Sequence, residues 1–372
     1  MPKPISMIDL FAGCGGMTSG FVAAGEYEPI LAVEWDFAAA STYAANFGED
    51  HMRWGDIAEI PDGDVPDAEI IIGGPPCQGF SGLGSRDVND PRNKLWKEYI
   101  RFVRHARPKV FVIENVDRFR SSAEFELLLA ESSPGGLLEE YELTHELLLA
   151  ADYGAPQRRT RTIVIGSRIG KIDLPGPSHS RGDTLDSVYL QPWATVRDAI
   201  EGLPTVPQTT ELPDSEVEFF GRRVPGQFKG LDLHIGRNPT PRSLERYDHI
   251  PPGGGRFNLP DHLLSDCWRR KKTGTTDVMG RMRWDAPSLT IRTEFYKPEK
   301  GQYLHPQWIG RENPANVNRP ITLLEAAKLQ TFPDDFLWCG TKIQIAKQIG
   351  NAVPSALARA IANHLKPYLR KS

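Results

Sequence analysis

Short apolar runs alternate with helical patterns along roughly the first 170 residues. Several runs are apolar on both faces, which is typical of strands in a sheet covered by helices on each side. The runs that predict strands lie at 5–12, 28–35, 68–74, 108–115, 141–150 and 160–167. The segments with helical periodicity between them lie at 17–25, 36–47 and 93–107. This βαβ series predicts an α/β fold built on a doubly wound, mostly parallel sheet.

The pattern changes at about residue 171, where prolines and glycines become frequent and the periodicity weakens. Such a stretch predicts a smaller, loop-rich unit with short strands, and it continues to about residue 315. We therefore expect a large α/β domain and a smaller, loop-rich domain.

Helical patterns return near the end of the chain. The segment 322–332 opens with Thr322 and Glu325 at capping-box spacing, which predicts a helix beginning after the threonine. A longer helical pattern covers 344–369 and is interrupted near Pro354, because proline removes a backbone donor and clashes with the preceding turn. Two further helices are thus expected to complete the first domain.

The composition is that of a folded protein, with 40% hydrophobic and 25% charged residues among 372. The chain has no run of about 18 apolar residues and does not begin like a signal peptide, so we expect a cytoplasmic protein without membrane contact. The cysteines are far apart and form no CxxC pair, which argues against a disulfide framework and against a metal site. They are Cys14, Cys77, Cys267 and Cys339.

Charge is distributed unevenly between the two parts of the chain. Residues 1–150 carry 12 Lys and Arg against 25 Asp and Glu, whereas the other residues carry 32 basic and 23 acidic side chains. A basic second part suits contact with a polyanion such as nucleic acid. A solvated surface of uneven charge explains the same composition equally well.

A glycine-rich turn follows the first predicted strand, in the sequence DLFAGCGGMTSGF at 9–21. Glycines there let the backbone approach a ligand, and the sequence lacks the phosphate-cradling GxxxxGK[ST] pattern. Glu34 ends the next strand at the spacing of a ribose-binding acid, and Trp35 could stack on a purine. Asp56 could accept a proton from an exocyclic amine. Each is singly more common as a surface residue, but together they favour an adenosine-containing cofactor.

Cys77 lies in the sequence IIGGPPCQGFS at 71–81, on a bend where a strand ends. Glycine and proline make such a bend sharp, and a thiolate presented there can act as a nucleophile. Glu114 ends a neighbouring strand and could lie close to Cys77 as a proton donor, although a helix-capping role is the alternative. Arg158, Arg159 and Arg161 suit phosphate or base-carbonyl contacts, or simply a charged edge strand.

These segments together resemble the DNA (cytosine-5)-methyltransferases of bacterial restriction-modification systems. The resemblance rests on DLFAGCGG, VEWD, GDI, GGPPCQGFS, ENV, QRRTR, RPITLLEAAKLQTFP and QIGNAVP, which follow one another in the family's order. It covers most of the chain except roughly 205–280, the place of the target recognition domain in that family. The resemblance thus implies a Rossmann-like methyltransferase domain formed by residues 1–204 together with 319–372. A target recognition domain is expected at 205–318, inserted between these two parts.

The resemblance implies S-adenosylmethionine as the cofactor. It places Glu34 on the ribose and Trp35, Asp56 and Ile57 around the adenine. Cys14, within the glycine turn, is interpreted as structural. The full set of residues implied for the cofactor site is Asp9, Phe11, Ala12, Gly13, Gly15, Glu34, Trp35, Asp56, Ile57, Pro76, Leu95, Asn351 and Ala352.

The resemblance also implies the chemistry at the substrate. Cys77 would add to C6 of a cytosine flipped out of the duplex, which makes C5 nucleophilic towards a methyl donor. Glu114 would protonate or hydrogen-bond N3, and Arg161, together with Arg159, would hold the O2 side. Loss of the C5 proton would then release the thiol.

DNA contacts are expected from two segments. The polar, glycine-rich loop 79–93 resembles a closing lid, with Leu83 as a wedge into the helix gap. The stretch 256–300 contains ten Lys and Arg against six acids, which suits phosphate contacts, although the RRKK run alone is also typical of a solvated loop. The DNA-binding set is Ser81, Leu83, Arg269, Arg270, Lys271, Lys272, Arg281 and Arg292.

The residues and the resemblance together predict a monomeric enzyme that methylates cytosine C5 in a short sequence of double-stranded DNA. The resemblance also implies a restriction endonuclease as its genetic partner, although an orphan enzyme would have the same sequence features. One alternative is a cytosine-5 methyltransferase acting on transfer RNA, against which the long middle insertion argues. A second is a non-catalytic DNA-binding regulator, which the intact PPCQ, ENV and QRRTR segments oppose. A small-molecule methyltransferase leaves the basic insertion unexplained.

Overall fold

The computed structural model describes residues 3–76, 93–182, 189–270 and 273–371. Most of the first half of the chain forms one large sheet with helices on both faces. The strands of the sheet are β1 (Ile5–Leu10), β2 (Tyr27–Glu34), β3 (Met52–Trp54), β4 (Ile70–Gly73), β5 (Val110–Val116), β6 (Glu142–Leu149) and β8 (Thr160–Ser167). The two-residue strand β7 (Gln157–Arg158) lies outside this sheet.

Within the described residues the large sheet has seven strands in the order β3-β2-β1-β4-β5-β8-β6. The pairs among β1 to β5 are parallel, and β8 runs antiparallel to both β5 and β6. The mostly parallel, Rossmann-like α/β fold is therefore confirmed. The reversed direction of β8 has a consequence for the site, since it brings the beginning of that strand to the carboxyl edge of β5.

The helices lie on the sheet and in the second half of the chain. Those of the described ranges are α1 (Gly16–Ala23), α2 (Phe37–Phe47), α3 (Asn93–Ala106), α4 (Ala123–Glu131), α5 (Val196–Ile200), α6 (Pro241–Asp248), α7 (Asp266–Arg270), α8 (Leu323–Leu329), α9 (Lys342–Asn351) and α10 (Ser355–Lys371). None of these helices combines the length and the apolar character that a bilayer crossing needs.

Alternate residues of the strands enter two different cores, as strand geometry requires. Ile70 and Ile72 of β4 pack with α1 and α10 on one face, whereas Ile71 packs with α3 on the other. Helices α1 and α10 approach closely at Gly20, where a Cβ would lie 2.5 Å from the Ala358 side chain. The C-terminal helix is thereby fixed against the first helix of the chain.

The predicted strands and helices of the first domain are confirmed with small shifts at their ends. The predicted capping box of Thr322 and Glu325 begins α8, and the interruption near Pro354 separates α9 from α10. The sequence pattern did not indicate β3, which has three residues, or α4.

The second half of the chain contains short strands paired in twos. They are β9 (His179–Ser180), β10 (Gln191–Pro192), β11 (Glu216–Phe219), β12 (Arg222–Pro225), β13 (Gly280–Arg281), β14 (Ser288–Leu289) and β15 (Gln302–Leu304). Strand β14 pairs with β7, and one buried cluster contains Ile200, Phe228, Ile291 and Ile345. The middle of the chain is thus packed continuously with the C-terminal helices, and the domain boundaries at 204 and 318 stay a prediction.

Candidate active site

A cleft of about 1470 Å³ lies at the carboxyl ends of β1, β2, β4 and β5. In open α/β sheets this edge is where ligands bind, because loops from several strands meet there. Its walls also include residues 290–293 and residues from α9, which come from the second half of the chain. Residues from both halves of the chain therefore line the cleft.

Nearly all residues expected to bind the cofactor line this cleft. Gly15 does not: it has φ 87° before α1, and a Cβ there would lie 2.4 Å from the Phe47 ring. Gly15 is thus required by the backbone conformation and by packing. The expected residues that do line the cleft are Asp9, Phe11, Ala12, Gly13, Glu34, Trp35, Asp56, Ile57, Pro76, Leu95, Asn351 and Ala352.

The Glu34 carboxylate ties the glycine turn to the end of β2. Its Oε2 accepts a hydrogen bond from the Gly13 N–H at 2.8 Å, and its Oε1 accepts one from the Asp36 N–H at 2.7 Å. Burial raises the pKa of this carboxyl. Each oxygen keeps a lone pair for a further donor, so the carboxylate can accept hydrogen bonds from the hydroxyls of a ribose.

Asp9 lies in the wall of the same cleft and is buried. Its Oδ2 accepts a hydrogen bond from the Thr18 hydroxyl at 2.5 Å. Burial raises the pKa of Asp9 to about 7, partly offset by this hydrogen bond. The carboxyl thus titrates near neutral pH, unlike an ordinary aspartate.

Aromatic side chains form one end of the cleft. The Trp35 side chain is 71% exposed although it lines the cleft, and the Trp54 Nε1–H donates to its backbone carbonyl at 3.1 Å. Asp56 accepts a hydrogen bond from the Ala58 N–H at 2.9 Å and caps a short turn. An open indole face beside a carboxylate suits a purine ring that carries an amine. These residues therefore fit an adenosine-containing cofactor.

Glu114 and Arg161 meet at the open edge of the sheet. The Arg161 Nε lies 2.8 Å from the Glu114 Oε1, and both side chains are largely buried. The register of β5 and β8 explains the contact, because Glu114 is opposite Ile163 and the Arg161 side chain falls on the same face. The Arg161 Nη1 also donates to the Thr160 carbonyl at 2.7 Å. A carboxylate and a guanidinium are thus fixed in the cleft wall.

The chain that leads to Cys77 enters the cleft beside Glu114. A Cβ on Gly74 would lie 3.3 Å from the Glu114 Oε2, and the Asn115 Nδ2–H donates to the Pro75 carbonyl at 2.7 Å. Pro76 also lines the cleft. Cys77 itself lies outside the described residues.

Arg159 is buried and holds the cleft wall together. Its Nη1 donates to the carbonyls of Ile291 at 3.0 Å and Gly350 at 3.1 Å, and its Nη2 donates to the Asn351 carbonyl at 3.3 Å. Burial lowers the pKa of Arg159 to about 9. Arg159 lies between β7 and β8, and its Nη atoms bind three carbonyls. These contacts join the start of β8 to the end of α9 and to the residues after β14.

Several cleft residues escaped the sequence interpretation. Thr290, Ile291 and Thr293 line the cleft, although the sequence indicated only DNA contacts in the stretch 256–300 and singled out none of these three residues. Gln348 lies within the recognised segment QIGNAVP, so its place beside Asn351 could have been noted. The close approach is visible at Gly350, where a Cβ would lie 2.4 Å from the Thr293 nitrogen.

The residues expected to contact DNA are divided by the structure. Arg269 and Arg270 are exposed on α7, as a phosphate contact requires. Arg292 is also exposed, lines the cleft, and pairs with Asp277 at 3.1 Å. Four more residues of the set lie outside the described residues: Ser81, Leu83, Lys271 and Lys272.

The interpretation of Arg281 as a DNA contact is wrong. Its side chain is fully buried, and its guanidinium makes five hydrogen bonds of 2.6 to 3.0 Å. Four acceptors are backbone carbonyls and the fifth is the Asn318 side chain. The acceptors are Tyr247, Ile250, His305, Val317 and Asn318. Because its donors are occupied by these buried acceptors, Arg281 stabilises the surrounding loops and is not free to bind a phosphate.

Comparison with known proteins agrees with this arrangement. The Type II methyltransferase M1.HphI of Haemophilus parahaemolyticus is 32% identical over 96% of this chain and 86% of its own length. The Type II methyltransferase M.DdeI of Desulfomicrobium norvegicum is 32% identical over 98% of this chain and 89% of its own. Both alignments span nearly the whole chain, including the middle part that carried no recognised motif.

Solved structures share the fold. A prophage-encoded protein of E. coli, described as a DNA modification methyltransferase, superposes with a TM-score of 0.66 at 26% identity, covering 98% of this chain and 99% of its own. The S. pombe Dnmt2 methyltransferase has the same fold, with a TM-score of 0.64 at 17% identity over 98% of this chain and 99% of its own. The family described as C-5 cytosine-specific DNA methylase matches residues 5–367. The chain therefore belongs to the C-5 cytosine-specific DNA methylase family and is a DNA (cytosine-5) methyltransferase.

Proposed function

We propose that this enzyme transfers a methyl group from S-adenosylmethionine to C5 of a cytosine in a short sequence of double-stranded DNA, through a covalent bond between Cys77 and C6. The observation that carries the proposal is the single cleft lined by Glu34, Trp35, Glu114 and Arg161. The residues that would hold an adenosine group and the Glu114–Arg161 ion pair thus line the same cleft, and the chain enters it just before Cys77.

The cofactor would be held by residues at the ends of β1, β2 and β3. Glu34 would accept hydrogen bonds from the ribose hydroxyls, with its orientation fixed by the N–H groups of Gly13 and Asp36. Trp35 and Asp56 would contact the adenine, and Asn351 would close the cleft from α9. Once bound, S-adenosylmethionine supplies an electrophilic methyl group on its sulfonium.

The substrate would be activated by Cys77, Glu114 and Arg161. Addition of the Cys77 thiolate to C6 forms a C–S bond and moves electron density to C5, while Glu114 supplies a proton or hydrogen bond to N3. C5 then takes the methyl group, with S-adenosylhomocysteine as the leaving group. A base removes the C5 proton, N3 returns its proton to Glu114, and the C–S bond breaks to release the thiolate. Arg161 would hold both the Glu114 carboxylate and the O2 side of the base.

The base must leave the duplex to reach this cleft, at a cost of a few kcal/mol. We propose that residues 205–318 recognise the DNA target, with the exposed Arg269 and Arg270 among the phosphate contacts. Since the relatives described above are Type II methyltransferases, a restriction endonuclease of the same target specificity is the expected genetic partner. The enzyme is expected to act as a monomer.

A duplex carrying 5-fluorocytosine tests the covalent step, because fluorine at C5 cannot leave as the proton does. With S-adenosylmethionine present, the wild-type enzyme should form a complex with DNA that survives denaturing electrophoresis. Cys77→Ala should bind the cofactor and the DNA but form no such complex. Cys267→Ala serves as the control that still forms it, because Cys267 is exposed and does not line the cleft. Equal trapping by Cys77→Ala would contradict the proposed covalent mechanism.

A further inference from the structure

A β-hairpin from the middle of the chain packs behind the aromatic end of the cleft. Strands β11 and β12 pair antiparallel, with Phe219 opposite Arg222. The two residues between them, Phe220 and Gly221, have φ of 53° and 68°, which is the backbone conformation that a two-residue hairpin turn requires. The turn thus presents Phe220 and Arg222 side by side.

Both side chains contact the aromatic residues of the cleft wall. The Phe220 ring centroid lies 6.2 Å from that of Trp54 and 6.5 Å from that of Phe37. The Arg222 guanidinium carbon lies 5.0 Å from the Trp54 ring centroid and 6.0 Å from that of Phe37. Among the described residues no carboxylate pairs with Arg222, so its charge is directed at the rings.

Trp54 connects the hairpin to the wall of the cleft. It lines the cleft together with Phe37, at a ring distance of 4.9 Å, and its Nε1–H holds the Trp35 carbonyl at 3.1 Å. The Trp54 indole thus holds the Trp35 backbone, and the hairpin packs against the Trp54 ring. Neither Phe220 nor Arg222 itself lines the cleft.

The hairpin is anchored well enough to act as a support. The Phe220 N–H donates to the Glu49 Oε1 at 2.8 Å. At the other end, the Gly340 N–H donates to the Pro225 carbonyl at 2.7 Å, and Phe219 is buried beside Cys339. These contacts join the hairpin to the cofactor side of the fold.

We propose that this hairpin is a positioning element of the cofactor site, with Arg222 and Phe220 as positioning residues that hold Trp54 and, through it, Trp35. The inference rests on the proposed binding of S-adenosylmethionine in the cleft. It assigns part of the segment 205–318 to cofactor affinity, whereas the sequence interpretation assigned the whole segment to DNA recognition.

Calorimetric titration of the enzyme with S-adenosylmethionine, without DNA, measures the effect directly. Arg222→Ala removes the cation from the rings and should weaken binding by about three- to tenfold, while Arg222→Lys should recover part of the loss. Arg223→Ala is the matched control, because Arg223 is the next residue, is exposed, and pairs with Glu216 at 3.6 Å. Its binding should equal that of the wild type.

Kinetics and DNA binding separate a positioning role from a general loss of structure. Arg222→Ala should raise the KM for S-adenosylmethionine in the same ratio as the Kd, leave kcat within about twofold, and leave DNA affinity unchanged. Phe220→Leu should act in the same direction, and melting temperatures show that each variant is folded.

Three results would overturn the inference. If the wild type binds S-adenosylmethionine and a folded Arg222→Ala variant binds it equally well, the positioning role of the hairpin is overturned while the proposed function stands. Loss of DNA affinity with unchanged cofactor affinity would move the hairpin to the DNA interface. Failure of the wild-type enzyme to bind S-adenosylmethionine would overturn this inference and the proposed function together.

Discussion

The Glu114 carboxylate and the Arg161 guanidinium lie 2.8 Å apart because β8 runs antiparallel to β5. In an all-parallel sheet the residue at the start of β8 would lie at the opposite edge, far from the carboxyl end of β5. The reversed strand thus supplies the positive partner of the acid at the edge where the cleft opens. Each residue fixes the orientation of the other before substrate binds.

Glu114→Gln should lower methyl transfer by at least about 100-fold, because the amide cannot supply a proton to N3. Arg161→Lys should also be slow, since an ammonium cannot reproduce the paired donors of a guanidinium. Cofactor affinity should stay near that of the wild type in both variants. Single-turnover rates measured beside calorimetric titrations test this, and Glu146→Gln, on the neighbouring strand β6, is a control expected to remain active.

Asp9 should make stability fall as pH rises. Its pKa is about 7 in the folded protein and near 3.8 when unfolded, so between these values only the folded state holds the proton. Relative to Asp9→Asn, the wild type should lose about 2 to 3 kcal/mol of unfolding free energy between pH 5 and pH 8, with little change above. Urea unfolding at several pH values measures this. A parallel pH dependence of the two proteins would contradict it.

The strands and the motif residues at their ends could be predicted because burial on both faces leaves long apolar runs. Strand β3 could not, since Met52–Trp54 is too short for a periodic signal. The antiparallel direction of β8 could not be predicted either, because an apolar run such as Thr160–Ser167 is compatible with a parallel or an antiparallel strand. The direction follows only from how the chain returns after β6.

The burial of charged residues in the basic stretch 256–300 could not be predicted from the sequence. Arg281 belongs to a basic stretch and therefore suggested a surface contact, yet its guanidinium is buried among backbone carbonyls. Arg292 in the same stretch is exposed and lines the cleft. Charge pattern alone cannot separate the two, because the acceptors of Arg281 come from separate parts of the chain.

Arg281→Met should destabilise the protein by about 3 to 5 kcal/mol, because several buried carbonyls would lose their donor. Arg283→Met is the matched control at an exposed position and should change the unfolding free energy by less than about 0.5 kcal/mol. Chemical denaturation compares them. A stable Arg281→Met variant that bound DNA weakly, with a reduced salt dependence, would restore the interpretation of Arg281 as a DNA contact.

Replacing Arg269, Arg270, Lys271 and Lys272 by alanine should weaken DNA binding and flatten its salt dependence. Each lost phosphate contact should reduce the slope of log K against log salt by roughly 0.9. Replacing Arg107 and Arg168 by alanine is the control, because both lie at the edge of the sheet opposite the cleft. Unchanged salt dependence in the fourfold variant would remove this stretch from the DNA interface.

The methylated nucleoside identifies both the nucleic acid and the atom that receive the methyl group. The enzyme is incubated with methyl-labelled S-adenosylmethionine and either a varied genomic DNA pool or total transfer RNA, and each product is digested to nucleosides. We predict label in 5-methyldeoxycytidine from DNA with the wild-type enzyme and none with Cys77→Ala. Label confined to RNA, or in another nucleoside of DNA, would contradict the account.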